Sequence, residues 1–146
     1  MTILALGRCV NAQPAAKNVY VNLRDAGGVL FLGYLGTAAG ETYTLTEAKT
    51  AAGGSAQVLA TIDRFYTNTG TAADTWTERT QAAASTVVTA AAATQNCMVV
   101  EIEASELSDG YKFIKLNAAA GATTVAAFTK DLRTQRAPQN LPAMGV

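Results

Sequence analysis

Apolar and polar positions alternate with a period of two along much of this chain. Residues 98–116 read MVVEIEASELSDGYKFIKL. Met98, Val100 and Ile102 alternate with Val99, Glu101 and Glu103; beyond a polar corner, Ile114 and Leu116 fall on one face and Tyr111 and Phe113 on the other. Successive side chains of a strand point to opposite faces, so this is the pattern of two half-buried strands. Residues 57–66 (QVLATIDRFY) alternate in the same way and read as one strand, with 76–80 (WTERT) as its antiparallel partner across the polar tip 67–75. Further strand candidates are 3–10, 19–24, 29–35, 42–45 and 123–132. The run 29–35 (VLFLGYL) is almost continuously apolar, which predicts cover on both faces.

The connections carry their own signals. Asp25-Ala26-Gly27-Gly28 is expected to close a hairpin between 19–24 and 29–35, since glycine adopts the positive φ such turns need. Thr46 has the character of an N-cap and predicts one helical turn over 46–49. Residues 81–95 are low in complexity. Their alanines favour helix and Thr86, Val87, Val88 and Thr89 favour strand, which together read as a short strand between small-residue connections. A tight corner or single helical turn is expected at 104–109. Eight or nine short strands with turn signals at roughly 8–12-residue spacing define an all-β sandwich or barrel. The organisation predicted is an N-terminal strand and linker arm at 1–18, one β domain at 19–134, and an extended arm at 135–146. In that last arm Pro138 and Pro142 forbid regular pairing and favour lying along another surface.

Composition refines the picture. The 146 residues suit one domain, and 49% are apolar, but many of these are alanine, so the core is built from small side chains. Only 15% are charged, against the roughly 25% of ordinary soluble domains, which suggests a surface partly covered by partners. Eleven basic and eleven acidic residues cancel, which removes the global argument for nucleic-acid or anionic-membrane binding. The charge is unevenly placed, however. Glu101, Glu103, Glu106 and Asp109 give −4, whereas Lys112, Lys115, Lys130, Arg133 and Arg136 against Asp131 give +4 from residue 110 onward. A basic tail could pair with an acidic patch on a neighbouring copy, or both could be solvated faces. The beginning lacks the basic start and long apolar core of a secretory signal, and no apolar stretch approaches the ~20 residues of a membrane helix. Cys9 and Cys97 are no disulfide framework and are expected as buried free thiols, a bridge being the alternative.

Candidate chemistry is sparse. The chain has no histidine, so Ser-His and Cys-His dyads are excluded. Two isolated cysteines do not make a zinc site. Glu101 and Glu103 share a strand face, which suits acid–base chemistry or a hard cation only if other groups join them; a solvated face is the simpler expectation. Asp63 and Glu78 pair more simply with Arg64 or Arg79 on one hairpin. The glycine turns lack the lysine and strand–loop–helix context of a phosphate cradle. Trp76, Tyr66 and Phe65 would suit a sugar-stacking platform, or equally core packing or a subunit interface.

With these residues laid out, the chain resembles the capsid cement (decoration) proteins of tailed bacteriophages. The likeness is clearest in VVEIEASELSDGYKFIKLNAAAGATTVAAF, from Val99 on: an acidic strand, a DGYKFIKL strand, then a small-residue strand. The tail Arg136-Ala137-Pro138-Gln139 is similar to the extended C-terminal arms of that family, and the hairpin with Trp76 also fits. The resemblance implies a jelly-roll-like sandwich, often a homo-trimer, on the outside of the virion where capsomers of the major capsid protein meet. It implies no enzyme activity and no cofactor, and synthesis in the host bacterial cytoplasm; the balanced charge and the lack of a long apolar stretch predict no nucleic-acid and no membrane partner. The residues expected at partner interfaces are Arg133, Arg136, Pro138, Leu141, Pro142 and Trp76, with the first segment 3–10. Two other functions fit the same residues: a carbohydrate-binding or host-attachment module using Trp76 and Tyr66, and another structural part of a phage head or tail.

Overall fold

The alternating segments become strands with the expected faces. A computed structural model describes residues 7–9 and 19–133, of which 7–9 as backbone alone. There β9 (Cys97–Glu103) turns Met98, Val100 and Ile102 into the core and Glu101 and Glu103 outward. In β10 (Phe113–Ala118), Ile114, Leu116 and Ala118 point inward. The other strands are β1 (Gly7–Cys9), β2 (Val21–Asn22), β3 (Gly28–Tyr34), β4 (Thr42–Ala48), β5 (Gln57–Val58), β6 (Ile62–Asn68), β7 (Thr77–Ala84), β8 (Thr86–Val88) and β11 (Thr124–Lys130). Single 3-10 turns lie at Ala93–Gln95 and Ala104–Glu106. The protein is all-β.

Two antiparallel sheets form. One has six strands in the order β1-β11-β3-β9-β6-β7. The other runs β2-β10-β4, and β8 and β5 share the far edge of β4, at Thr42–Thr44 and at Thr46 and Glu47 respectively. Without β5, β6 and β7, the chain behaves as one long hairpin folded over itself. Its arms pair β1 with β11, β2 with β10, β3 with β9 and β4 with β8, and successive strands alternate between the sheets. That wrapping is the strand order of a jelly roll. The segment carrying β5, β6 and β7 is an insertion at its tip, and its β6–β7 hairpin widens the six-stranded sheet. Between the sheets, Val29, Phe31, Val100 and Ile102 meet Leu45, Ile114 and Leu116 in one core cluster.

Three connections differ from the sequence expectation. Residues 19–24 and 29–35 do not form a hairpin: β2 pairs with β10 in one sheet, and β3 lies in the other. The glycine loop 25–28 carries the chain across the sandwich, and the Gly27 N–H bonds to the carbonyl of Lys130. Residues 57–66 are two strands, one in each sheet, with a crossing at 59–61. Beyond it a register shift between Ile62 and Arg64 turns Ile62 and Phe65 inward and exposes Asp63 and Arg64. Thr46 caps no helix. β4 continues to Ala48 because Glu47 is fully buried, where its carboxylate accepts hydrogen bonds from Gln57 Nε2 (2.6 Å) and the Ser108 N–H (2.9 Å).

Gly33 marks a close contact between the layers. A Cβ there would lie 2.4 Å from the ring of Tyr43, which is 1% exposed. Gly33→Ala is therefore expected to lower stability by about 1–3 kcal/mol through overpacking. Urea unfolding checks this, and an unchanged midpoint would contradict the contact.

Candidate functional site

The outer face of the six-stranded sheet is the most unusual surface of the described residues. Strand register sets its rows. Phe128, Leu30 and Glu101 lie side by side; Ala126, Leu32, Val99, Tyr66 and Glu78 form the next row. Tyr34 stands in the row beyond, between Thr124 and Cys97. Phe128 is 37% exposed and Tyr34 40%, while Leu30, Leu32 and Val99 are half-buried. An antiparallel sheet with one face on the core ordinarily presents polar side chains on the other. Here the middle of the outer face is apolar, and the described residues leave it partly open, where the continuous run at 29–35 predicts cover on both faces.

The lower end of the same face is charged. Lys130 bonds both Glu101 and Glu103 and reaches them across β3. Gly28 leaves the room: a Cβ there would meet the Lys130 side chain at 2.8 Å and the Ile102 carbonyl at 2.5 Å. The two carboxylates thus hold one ammonium, and the hydrogen bonds that Lys130 donates, first to Glu101 and then to Glu103, raise its pKa above the ordinary lysine range. A raised lysine pKa stabilises the fold fully below its unfolded value of about 10.4, and that stability is lost only as pH climbs through the folded value.

Beside this cluster the sheet splits. The β6–β9 ladder covers three residue pairs, from Asn68↔Cys97 to Tyr66↔Val99. Below Val99 the strands diverge around a cleft of about 350 Å³, with Asp63, Arg64 and Tyr66 on one wall and Glu101, Glu103 and Glu106 on the other. Thr61 bonds Glu106 across its foot. Arg64 lies 3.8 Å from Glu78, and the Tyr66 hydroxyl is 3.3 Å from the same carboxylate. Arg79 instead donates to Thr67 at 2.7 Å.

The residues singled out in the sequence are dispersed. Arg133 is exposed, and its backbone N–H bonds the Asp25 carbonyl at 2.9 Å. Arg136, Pro138, Leu141 and Pro142 lie outside the described residues, as do the N-terminal arm apart from β1 and the C-terminal arm 135–146. Trp76 is 46% exposed just before β7, whereas Phe65 is 5% exposed on the core side. Those rings therefore make no three-ring platform with Tyr66. Cys97 is buried and free, and burial pushes its thiol pKa up, opposed in part by the Met98 N–H. Alkylation of the native protein near neutral pH followed by peptide mapping is expected to leave Cys97 unmodified until denaturant is added; rapid native labelling would contradict its burial.

Sequence reasoning missed Glu41. It is 6% exposed and gathers the N–H groups of Thr42, Ala119 and Ala120 and the Thr123 hydroxyl. A lone glutamate between a glycine loop and a strand gave no signal of this role. Among the described residues no group of three His, Cys, Asp or Glu side chains is placed to hold a metal, and no helix is long and apolar enough to cross a membrane. The fold and this surface define an all-β sandwich with a partly exposed apolar outer sheet. No protein-family model, curated protein or solved structure matches the chain.

Proposed function

We propose that this chain is a structural protein of a tailed-phage virion, a cement protein that binds the outside of the capsid and stabilises contacts between capsomers. The apolar outer face of the six-stranded sheet carries the reading. Leu30, Leu32, Val99 and Phe128 form a partly exposed apolar surface, suited to docking on another protein. The jelly-roll wrapping and the similarity of residues 99–128 to cement proteins agree with it. Its partners are then the major capsid protein and further copies of itself, as a homo-trimer on the virion surface. The mechanism is adhesive: each subunit adds a modest interface, and repetition over the shell turns modest interfaces into a large cohesive contribution.

The test is binding to purified heads that lack the protein. Saturable binding, with a rise in the temperature at which heads rupture, is the expected result. Heads that bind none at micromolar protein would overturn the reading. The exposure of Trp76 favours a second function, glycan binding at the β6–β7 hairpin; loss of glycan-array binding in Trp76→Ala would support it, and absence of any array signal would remove it.

A further inference from the structure

We infer that the cleft between β6 and β9 receives the C-terminal segment 134–146 of a second copy of this chain, which lies against the free edge of β9. The inference rests on the reading of the protein as a self-associating cement and names the surface that would join the copies.

The cleft is a gap inside a sheet. From Val100 to Glu103, β9 has a ladder partner on its β3 side alone among the described residues, because its ladder with β6 stops at Val99. The Glu103 N–H is taken by Glu106 Oε2 at 2.7 Å, so three residues of strand edge, Val100–Ile102 and roughly 10 Å long, face an opening of about 350 Å³. An unpaired edge of this kind is a template for an added extended segment. Thr61 and Glu106 close the foot, so the entry lies on the outer face, between Arg64 and Tyr66 on one side and Glu101 and Glu103 on the other.

Charge selects the occupant. Asp63, Glu101, Glu103 and Glu106 stand against Arg64 and Lys130, which leaves the site at 2 − 4 = −2. The segment 134–146 carries Arg136 and no acidic side chain, a side-chain charge of +1. Pro138 and Pro142 suit an extended strand-side ligand. The thirteen residues beyond Arg133 span up to ~43 Å, ample to cross to a neighbouring subunit.

Geometry favours a neighbour's arm over the chain's own. After β11, Asp131 turns the backbone with φ of 49°, Leu132 packs against the core cluster, and the Arg133 N–H bonds Asp25. The chain thus folds over the end of the sandwich, away from the outer face where the cleft opens. One arm entering one cleft is a head-to-tail contact, and such contacts close into rings when the rotation allows.

Sedimentation velocity on the full-length protein in free solution tests this by charge exchange. Asp63→Arg and Arg136→Asp are each expected to weaken association about tenfold or more, and the two together to restore it to within about threefold of the parent. Asp63 is exposed, so folding is not at stake, and circular dichroism checks it. A full-length chain that stays monomeric at high micromolar concentration, single substitutions without effect, or a double variant no better than the singles would each overturn the inference. Head binding is measured separately. A chain that fails here and still coats heads leaves the shell function standing, and one that assembles here but ignores heads overturns the shell function alone.

Discussion

Replacing Glu41 with alanine is expected to lower the stability of the domain by about 3 kcal/mol or more. The carboxylate accepts from the N–H groups of Thr42 (2.7 Å), Ala119 (3.0 Å) and Ala120 (3.1 and 3.0 Å to its two oxygens), and from the Thr123 hydroxyl. The Glu41 backbone is held in turn: its N–H donates to Thr89 Oγ1 at 2.8 Å, and its carbonyl accepts the Thr89 N–H at 2.9 Å. The Glu41 side chain therefore ties the start of β4 to the β10–β11 connection, and its backbone ties the same point to Thr89 after β8. Alanine would leave several donors without an acceptor, each at a cost of about 1–3 kcal/mol where water cannot reach. Glu41→Gln keeps the volume and one acceptor oxygen, so it should retain more stability than alanine does. Urea unfolding followed by circular dichroism gives the order. An alanine variant within about 0.5 kcal/mol of the parent, the range of an ordinary surface change, would contradict this role.

Converting Leu30 and Phe128 together to glutamine is expected to weaken binding to heads about a hundredfold or more. Two apolar side chains desolvated at an interface are worth about 1.5–3 kcal/mol each, and each 1.4 kcal/mol is a factor of ten. The side chains are neighbours across β3 and β11 and both are partly exposed, so the fold itself should lose little. Equal binding by parent and variant, with unfolding curves that coincide, would mean that another surface makes the contact.

The two residues of that prediction come from segments that the sequence reads as strands, 29–35 and 123–132. Alternation named the inward faces of β9 and β10 correctly, because each is a regular strand with one face on the core. The continuous apolar run 29–35 predicts cover on both faces; Val29 and Phe31 enter the core, whereas Leu30 and Leu32 lie outward and are only half-buried among the described residues. Where the sequence misled, local chemistry was ambiguous between two global arrangements. A glycine loop such as 25–28 looks the same whether it closes a hairpin or crosses a sandwich. The alternation of 57–66 runs unbroken through 59–61, so nothing marks the change of sheet. Thr46 and Glu47 have the residue types of a helix start, and what decides for strand is the burial of Glu47 against Gln57 and Ser108, partners 10 and 61 residues away.

The candidate surface was only half legible for a similar reason. The acidic run 101–106 and the basic end of the chain stand out in one dimension. Lys130 reaching Glu101 and Glu103 across Gly28, and the divergence of β6 from β9, depend on register between distant strands. Trp76 and Phe65 belong to one hairpin, yet pleating and the register shift near Ile62 send Phe65 inward. Expectations for Arg136, Pro138, Leu141 and Pro142 concern residues beyond the described part of the chain and rest on sequence alone.

Quantitative mass spectrometry of particles carrying this chain, read against their main shell protein, tests the adhesive account most directly. The account predicts copies on the order of hundreds per particle, in fixed proportion to the shell protein, since repetition is what makes small interfaces count. A handful of copies per particle, or a protein found in no particle at all, would contradict it.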